Sequence, residues 1–539
     1  MSVNIQNVGE VMSRAEYNED KYGGTYEDGT EAESKISDVR FYFFNADGSP
    51  YILKKSTSTE KDKNWMTPGT ITPDGKDHTT SVEQITKEVL VIAGQERVAP
   101  HSVVAVINSN TLTTLGEGAL SLTDLRDKQD NQFYTTTTAT PDKFVMANSI
   151  YMKDDKEEYA VPVTGHVSTT EDGAKANPID IYVERVAAKV NTTCDTEKGW
   201  TKGTEAWNNG KWTYQLADKL FSKYDVFVVV DGWSVADANG RATVEKATLN
   251  STWSNDLLGI NPWTTGDYHR CFWETSVPFV DGTNEVLNKS FDNISSTIAD
   301  GVVYTLPNTP AATTDFTDKM ENSLTKVIVA AHLYYKDEAG VAHQAEICKY
   351  KGIQYLSKED VLTVVANENK SKYFKKTTDT DSEGHPVYTS ISKDDLTFAT
   401  SAPVGGSATL KDYEVIPQFK SDAVIYDADH NLVDVAEANK AIATEANKAQ
   451  VRREGRVYYY TPIRHLAAEE TKLGYYGVVR NHSYKVNLQK VSGFGTPVYD
   501  PTKVIDPTLP EEENIYLAAR IKVLSWRVVK SNVNLDSNK

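Results

Sequence analysis

At 539 residues the chain is too long for one hydrophobic core, and about two to four domains are expected. Its formal net charge is −19, from 57 basic and 76 acidic side chains, without any block rich in Lys or Arg. This composition argues against nucleic acid and anionic membrane surfaces as partners, because both are recognised through basic patches.

The cysteine residues and the first residues of the chain give information on the cellular compartment of the protein. Cys194, Cys271 and Cys348 lie far apart and form neither a disulfide framework nor a zinc motif. Neither a signal peptide nor a transmembrane run is present, so the protein is either cytosolic or has lost a leader. Its start looks like a body sequence entered after a deleted leader. The 29 Tyr residues and recurring β-type runs favour an all-β extracellular protein.

The N-terminal part begins with a short strand pattern in which Val3 and Ile5 alternate with polar residues. Arg14 and Ala15 follow, and the acidic, Gly-rich stretch 17–37 is typical of an exposed loop. Beyond it the pattern predicts a hairpin turn at 45–48, a short helix at 121–125 with Ser121 or Thr123 as its cap, and strands at 39–44, 88–92, 102–108 and 181–190.

Composition changes over residues 192–210, and we place a domain boundary at about residue 200. The second part has one convincing helix pattern, at 435–450, and a Pro-rich connector at 495–513. Its predicted strands cover residues 225–230, 327–335, 344–350, 456–460 and 484–491.

The C-terminal stretch 516–535 is the most informative part of the chain. Its apolar residues alternate up to Val523, then change phase at Leu524, which predicts a bulge or bend. A second apolar set follows, comprising Trp526, Val528, Val533 and Leu535. Strands this apolar must complete either their own sheet or the sheet of a neighbouring molecule.

Catalytic and metal-binding signatures are weak. The ten His residues form no zinc motif, and neither a nucleophile elbow nor a phosphate-binding loop occurs, so the protein is expected not to be an enzyme. The run 379–384 matches the first half of a calcium loop, yet Ser390 replaces the final Glu, which favours a hairpin turn. We therefore expect no metal and no cofactor.

The position of Arg14, shortly after the Val3–Ile5 strand pattern, makes it a candidate cleavage site. On its own it is one of many basic residues. A cut between Arg14 and Ala15 would release a peptide carrying Val3 and Ile5, and would leave unpaired backbone in any sheet that held them. The second apolar set at the C-terminus has the complementary pattern to fill such a slot in another subunit.

Four segments stand out in chain order: VERVAAKV at 183–190, LPNT at 306–309, VVRNHSY at 478–484, and VLSWRV at 523–528 closing on VNL at 533–535. Together they resemble the fimbrillin superfamily that builds type V pili of Bacteroidales, and within it the major subunit of the short (minor) fimbriae. Ser525 stands where that family often has Pro, which leaves the bend less rigid.

The resemblance implies two tandem transthyretin-like β-sandwiches and a lipoprotein precursor exported to the outer membrane. It also implies that a trypsin-like, Arg-specific protease cuts at a site that maps onto Arg14 and Ala15. The groove opened in the first domain then accepts the C-terminal strand of the next subunit.

We therefore interpret the chain as a polymerising pilin of a surface fimbria that supports adhesion and biofilm formation. Its expected partners are copies of itself, related fimbrial subunits and the protease, with membrane contact only through a precursor lipid anchor. The expected segments are 1–14, removed on maturation; 15–200, the acceptor sandwich; 201–510, the second sandwich; and 511–539, with the donor strand.

Two alternatives stay open. One is a non-polymerising adhesin or accessory tip subunit that binds a host protein or glycan, although tip subunits of this family are expected to lack the C-terminal extension. The other is a carbohydrate-active enzyme with paired carboxylates in a Trp-lined cleft, although burial in the core accounts better for the four Trp residues in question. These are Trp233, Trp253, Trp263 and Trp273.

Overall fold

The structure is a computed structural model of the chain. It describes residues 2–7, 29–53, 62–67, 84–89, 98–135, 143–153, 156–247, 273–277, 287–295, 301–310, 323–411, 413–465, 474–507, 517–524 and 530–531.

The first sheet has eight strands and is buried on both faces. Strands β2 and β5 are apolar along almost their whole length, which is typical of strands covered on two sides. Phe41, Phe43 and Ile181 pack on one side, while Tyr42 and Val104 pack on the other. The order is β3 (Trp65–Met66), β2 (Val39–Phe44), β5 (Ser102–Ile107), β7 (Met146–Asn148), β11 (Ile179–Arg185), β1 (Ser2–Asn7) and β4 (Gln84–Val89), with β10 (Val161–Pro162) beside β5.

The second sheet has five strands and faces the third across a large apolar core. Val190 and Tyr484 from the second sheet pack in that core with Val228 and Val329 from the third. The order in the second sheet is β17 (Val302–Thr305), β12 (Ala188–Cys194), β30 (Ser483–Val491), β32 (Leu517–Leu524) and β33 (Lys530–Ser531).

The third sheet has seven strands. Helix α4 (Phe291–Ser295) covers part of its outer face, where Phe291 and Ile294 pack against Ile328. The order is β13 (Thr201–Lys202), β14 (Trp212–Leu220), β15 (Tyr224–Ala236), β18 (Lys326–Lys336), β29 (Arg456–Pro462) and β31 (Thr496–Pro497), with β19 (Ala342–Gln344) beside β18. The predicted fold class, all-β with a few short helices, is confirmed.

The chain passes from the first sheet to the second at Val186 and Ala187. The prediction of a single strand over residues 181–190 is therefore wrong, because β11 and β12 belong to different sheets. Val186 packs in a core beside the first sheet, whereas Ala188 packs in the core between the second and third sheets. The two halves also interlock through the pair β6 (Gln129–Asp130) and β16 (Ala242–Thr243).

Small elements complete the sandwiches. A separate hairpin joins β8 (Tyr151–Lys153) to β9 (Lys156–Glu158). Helix α2 begins after Ser121, whose hydroxyl accepts a hydrogen bond from the Asp124 amide, so the predicted helix and cap are confirmed. The short helices of this part are α1 (Glu31–Ser34), α2 (Leu122–Arg126) and α3 (Glu171–Ala176).

Residues 348–451 form an insert with its own core. Both ends enter side by side, since Cys348 on β20 pairs with Val451 on β28. Its five-stranded sheet has the order β21 (Ile353–Tyr355), β20 (Cys348–Tyr350), β28 (Ala449–Val451), β25 (Glu414–Phe419) and β24 (Leu396–Ala399). Its four-stranded sheet has the order β23 (Pro386–Ser390), β22 (Phe374–Thr380), β26 (Ile425–Tyr426) and β27 (Leu432–Val433).

Two helices of the insert correct the helix prediction. Helix α6 covers only Val435–Ile442, and the end of the predicted helix is strand β28. The longest helix in the described ranges is α5, Lys358–Asn369, which the sequence analysis missed. Its β-branched residues at 361, 363, 364 and 365 resemble a strand in composition. Capping by Ser357 and burial of Val361, Leu362 and Val365 select the helix instead.

The separate core of the insert makes a stability prediction. Val365 is 1% exposed inside the insert, so Val365→Asp should cost about 3 kcal/mol or more of the insert's folding free energy by burying a charge. Hydrogen exchange should report opening of residues 348–451, while the sandwich core around Val329 stays protected. Thr363→Asp, on the exposed side of the same helix, is the control and should change neither region. Simultaneous opening of sandwich and insert would contradict two separate cores.

Candidate functional site

Strand β1 lies inside the first sheet, between β11 and β4. Val3 pairs with Ile179 and Ile5 with Ile181 in parallel register, while Ile5 also pairs with Thr86 of β4 in antiparallel register. In the described part of the chain, β4 pairs with the sheet only through β1. Removing β1 would therefore leave a slot with unpaired backbone along β11.

The wall of this slot on β11 is apolar. Ile179, Ile181 and Val183 are at most 1% exposed and pack with Phe41 and Phe43. Helix α3 lies next to β1 and β4. A strand that replaced β1 would thus meet main-chain partners along β11 and an apolar core beneath them.

The predicted cleavage and donor residues lie outside the described residues. These are Arg14, Ala15, Trp526, Val528, Val533 and Leu535. The cleavage site falls between two described elements, since β1 ends at Asn7 and α1 begins at Glu31. Cleavage at Arg14, displacement of Val3 and Ile5, and donation by the C-terminal residues stay predictions.

The C-terminal strand β32 completes the second sheet. It runs antiparallel to β30, from Leu517 opposite Val491 to Leu524 opposite Ser483. It ends at Leu524, where the sequence predicts a bend, and β33 returns along it with Lys530 opposite Lys522. Residues 517–524 therefore belong to the chain's own sheet.

Helix α1 joins the two halves of the molecule through Glu33, whose side chain is 1% exposed. Glu33 Oε1 lies 2.8 Å from Lys189 Nζ and accepts a hydrogen bond of 2.6 Å from the Tyr304 hydroxyl. Burial opposes ionisation, but Lys189 and these hydrogen bonds outweigh it and lower the pKa of Glu33. Arg185 Nε also donates to the Glu33 carbonyl oxygen at 2.6 Å. Helix α1 is thus fixed at the junction of the sheets.

Two further buried ion pairs lie at this junction. Lys246 Nζ lies 2.8 Å from Glu184 Oε2, and both side chains are fully buried. Arg480 Nε donates to Glu274 Oε2 at 2.8 Å, and the Arg480 amide donates to Glu274 Oε1 at 2.6 Å. The Arg480 guanidinium also donates to the carbonyl oxygens of residues 243 and 244. Removing one partner of such a pair strands a buried charge.

Three of the segments that carry the resemblance converge here. Arg185 Nη1, from the first segment, donates to Asn481 Oδ1 of the third, and the Asn481 amide donates to the Ala187 carbonyl oxygen. Asn308, from the second segment, exchanges backbone hydrogen bonds with Val478 of the third. The sequence analysis did not predict this meeting point. One feature of the sequence could have indicated it: charged residues, such as Arg185 and Arg480, interrupt otherwise apolar runs.

Glu245 is a buried carboxylate at the same junction. Its Oε1 atom has no hydrogen-bond partner among the residues the structure describes. Burial raises the pKa of Glu245 to about 8, although Arg480 and Arg126 act in the opposite direction. Near neutral pH this side chain is therefore largely protonated.

The remaining candidate residues are structural wherever they are described. Residues 381–384 form the turn between β22 and β23, where Asp381 Oδ1 accepts hydrogen bonds from the amides of Glu383 and His385, so the hairpin prediction is confirmed. Trp233 and Trp273 are buried, whereas Trp253, Trp263 and Cys271 lie outside the described residues. Cys194 packs beside the sandwich core and Cys348 lies in the insert core.

Neither a metal-binding cluster nor a membrane-spanning helix occurs in the described ranges. There, His, Cys, Asp and Glu side chains form no group of three or more suited to a metal ion. No helix in those ranges is both long and apolar enough to span a bilayer.

Comparison with known proteins points to one family. Residues 451–532 match the family described as "Major fimbrial subunit protein type IV, Fimbrillin, C-terminal". The match covers β29, β30 and β32, and it confirms the fimbrillin resemblance. The likeness to the short fimbriae in particular stays a prediction. No curated protein sequence matches the chain.

Solved structures resemble the chain loosely. A fimbrilin (FimA) of Porphyromonas gingivalis has 12% identity and a TM-score of 0.35, covering 98% of both chains. A putative cell adhesion protein of Parabacteroides distasonis has 11% identity and a TM-score of 0.35, covering 97% of this chain and 96% of its own. The C-terminally truncated tip fimbrial protein Mfa3 of P. gingivalis has 9% identity and a TM-score of 0.29, covering 98% and 100%. These TM-scores are below 0.5, so the likeness to the fimbrillins depends on the sequence match over residues 451–532.

The Glu33 contacts predict a strong coupling between α1 and the sheets. Glu33→Ala should lower the free energy of unfolding by about 3 kcal/mol, because Lys189 is then buried without its counter-charge. Adding Lys189→Met should restore part of the loss. Urea unfolding measures both, and Glu171→Ala, which breaks the exposed Glu171–Lys175 pair, is the control and should leave the midpoint unchanged. Equal effects of Glu33→Ala and the control would contradict the prediction.

Glu245 predicts a pH dependence. Its folded pKa, about 8, exceeds the ordinary value of 4.5, so its stabilising contribution is complete below pH 4.5 and falls as pH rises towards 8. Glu245→Gln should therefore match the native protein near pH 4.5 and exceed its unfolding free energy by a few kcal/mol at about pH 8.5. Urea unfolding at several pH values measures the difference. A variant that is less stable than the native protein at pH 8.5 would show that the carboxylate is ionised and paired.

Proposed function

Because residues 451–532 are a fimbrillin C-terminal region, we propose that this protein is a structural subunit of a cell-surface fimbria that polymerises by donor-strand exchange. The observation that carries the proposal is the position of β1. This N-terminal strand is an interior member of the first sheet, pairs through its backbone with β11 and β4, and precedes Arg14 in the chain. Proteolysis upstream of α1 could thus open a sheet without cutting its other strands.

The proposed assembly begins with cleavage between Arg14 and Ala15 by a trypsin-like, Arg-specific protease. Loss of residues 1–14 vacates the positions of Val3 and Ile5 beside β11. The C-terminal segment of a second copy then enters this slot, placing Trp526, Val528, Val533 and Leu535 where apolar residues are needed. Hydrogen bonds along β11 provide strength, and alternate side chains set the register.

The energetics are compatible with a non-covalent filament. If each junction buries about 1,000 Å² of apolar surface, the gross hydrophobic free energy is roughly 25 kcal/mol. Ordering of the donor segment and association entropy oppose this gain. Since β32 belongs to its own sheet, the donor residues lie beyond Leu524, and donation requires β33 to separate from β32.

Location and partners follow from the same proposal. The precursor would be a lipid-anchored protein exported through the outer membrane, and the mature chain would lie in the fimbria. Its partners would be further copies and related fimbrial subunits, with adhesion and biofilm formation as the outcome. The segments 1–14, 15–200, 201–510 and 511–539 keep the roles predicted for them, except that β12 (Ala188–Cys194) and β32 (Leu517–Leu524) belong to the second sheet. The proposed role is structural rather than catalytic.

Cleavage at Arg14 is the first test. Limited trypsin treatment should cut early after Arg14 and yield filaments visible by electron microscopy, whereas Arg14→Ala should slow the cut and prevent filaments. Arg453→Ala, at an exposed arginine in the second half, is the control and should behave like the native chain. Intact Arg14 after digestion of the folded protein, shown by mass spectrometry, would refute the proposed trigger.

Donation by the C-terminal segment is the second test. A chain lacking residues 525–539, cleaved at Arg14, should stay folded and form no filaments. Val533→Asp should also prevent assembly, at a cost of several kcal/mol for an ion in an apolar slot, while leaving the monomer's melting temperature nearly unchanged. Val404→Asp is the control, because Val404 is 94% exposed. Filaments from the truncated chain, or unfolding of its monomer, would rule out donor-strand exchange.

A further inference from the structure

One face of the insert's four-stranded sheet is aromatic and partly exposed to solvent: Phe374, Tyr388 and Tyr426 are half-buried, and His430 is exposed. Phe374 on β22 lies opposite Tyr426 on β26, and Tyr388 on β23 lies opposite Lys376. Residues directly opposite in a sheet share a face, so these side chains point the same way. The other face is the covered one, since Ile425 is 1% exposed in the insert core.

The rings on this open face contact one another. His430 stacks on Tyr388 with a centroid distance of 4.0 Å and an interplanar angle of 7°. Tyr388 meets Tyr426 edge to face at 5.0 Å, and Phe374 meets His430 edge to face at 6.1 Å. We name Phe374, Tyr388, Tyr426 and His430 the aromatic face. Leu432, 70% exposed, lies opposite Tyr426 at its border.

His430 is held in place at a conformational cost. Its φ is +64°, in the left-handed region that favours Gly. The turn is fixed by Asp427, whose Oδ1 accepts hydrogen bonds from the amides of Asp429 and Asn431. A non-glycine residue kept in this conformation presents an exposed ring to Tyr388, which places the strain at a surface rather than in a core.

Acidic turns lie at both ends of the aromatic face. The β22–β23 turn lies at the end of the sheet where β22 finishes. The β26–β27 turn lies at the opposite end, because β26 runs antiparallel to β22. Neither Asp379 nor Asp429 forms an ion pair with a described residue. The carboxylates in these turns are Asp381, Glu383, Asp427 and Asp429, and Asp379 lies beside the first turn at the end of β22. The face carries one lysine, Lys376.

From this arrangement we propose that the aromatic face, with the free edge of β23, binds an extended, Arg- or Lys-bearing segment of a different protein. The outer edge of β23 pairs with no strand in the described part of the chain, so it offers main-chain partners. Aromatic rings and flanking carboxylates suit alternating basic side chains through cation–π contacts and ion pairs.

Charge complementarity argues for a foreign partner at this face over a second copy. This chain carries −19 and has no basic block, so a second copy offers the acidic turns no run of basic side chains. A basic segment is attracted instead. This binding is separate from the proposed polymerisation and is measured on the uncleaved monomer. A negative result for peptide binding would therefore not contradict polymerisation, and the reverse also holds.

The test uses a fluorescent peptide of about twelve residues that alternates Arg and Thr, with a Glu–Thr peptide as charge control. Fluorescence anisotropy should show binding of the Arg–Thr peptide alone, weakened by about 0.5 M NaCl. Tyr388→Ala should weaken binding about tenfold. Tyr335→Ala is the matched control, since Tyr335 is a half-exposed ring in contact with Tyr224 and His343 on another sheet.

Charge is tested in the same way. Asp379→Asn combined with Asp429→Asn should weaken binding severalfold, whereas Asp218→Asn, at an exposed carboxylate on β14, should not. Hydrogen exchange should show peptide protection at 386–390 and leave the sandwich unchanged. Equal losses in test and control variants would show general attraction to an acidic protein and overturn the proposal. Absence of peptide binding, or binding of a neutral oligosaccharide that competes at the aromatic face, would overturn it as well.

Discussion

Buried charges hold the two halves of this protein in one arrangement, because each is stable only while its partner is in place. Glu33 reaches Lys189 and Tyr304, Lys246 reaches Glu184, and Arg480 lies between Glu274 and the backbone of residues 243 and 244. Sliding one sheet against another would separate these groups in a dry environment, where an uncompensated charge is most costly. The orientation of the first sheet relative to the second therefore depends on electrostatics as much as on apolar packing.

The contacts at this junction explain why the position of α1 matters for the proposed assembly. The helix follows the predicted cleavage site and is tied to both halves, so loss of residues 1–14 would not release the segment that starts near Thr30. The slot beside β11 and the sheet that contains β32 would keep their relative positions. A subunit with a fixed distance between acceptor slot and donor segment suits a filament, in which each error in orientation is repeated along the polymer.

The insert stands apart from this scheme. Its core is separate, and its two ends enter as neighbouring strands, which lets such a module be added to a sandwich without disturbing the sheets. An exposed ring cluster next to an unpaired strand edge contributes little to the folding of the sandwich. In the proposed fimbria, the aromatic face would therefore be a binding surface separate from the slot beside β11.

Local pattern alone determined the all-β class, several strands, the Ser121 cap, the turn at 381–384 and the end of β32 at Leu524, because alternation, capping and turn chemistry act within a few residues. Ordered motifs added the resemblance to the fimbrillins, which the match over residues 451–532 supports. Tertiary structure alone decided the break at Val186–Ala187, since only burial shows that three adjacent apolar residues serve two sheets. It also decided that the Val-rich run at 361–365 is a helix, because its apolar side needed a core to pack on. The contacts at the junction are the hardest to predict from the sequence. Glu33 and Tyr304 are 271 positions apart, and no local pattern reveals which buried charge will meet which partner.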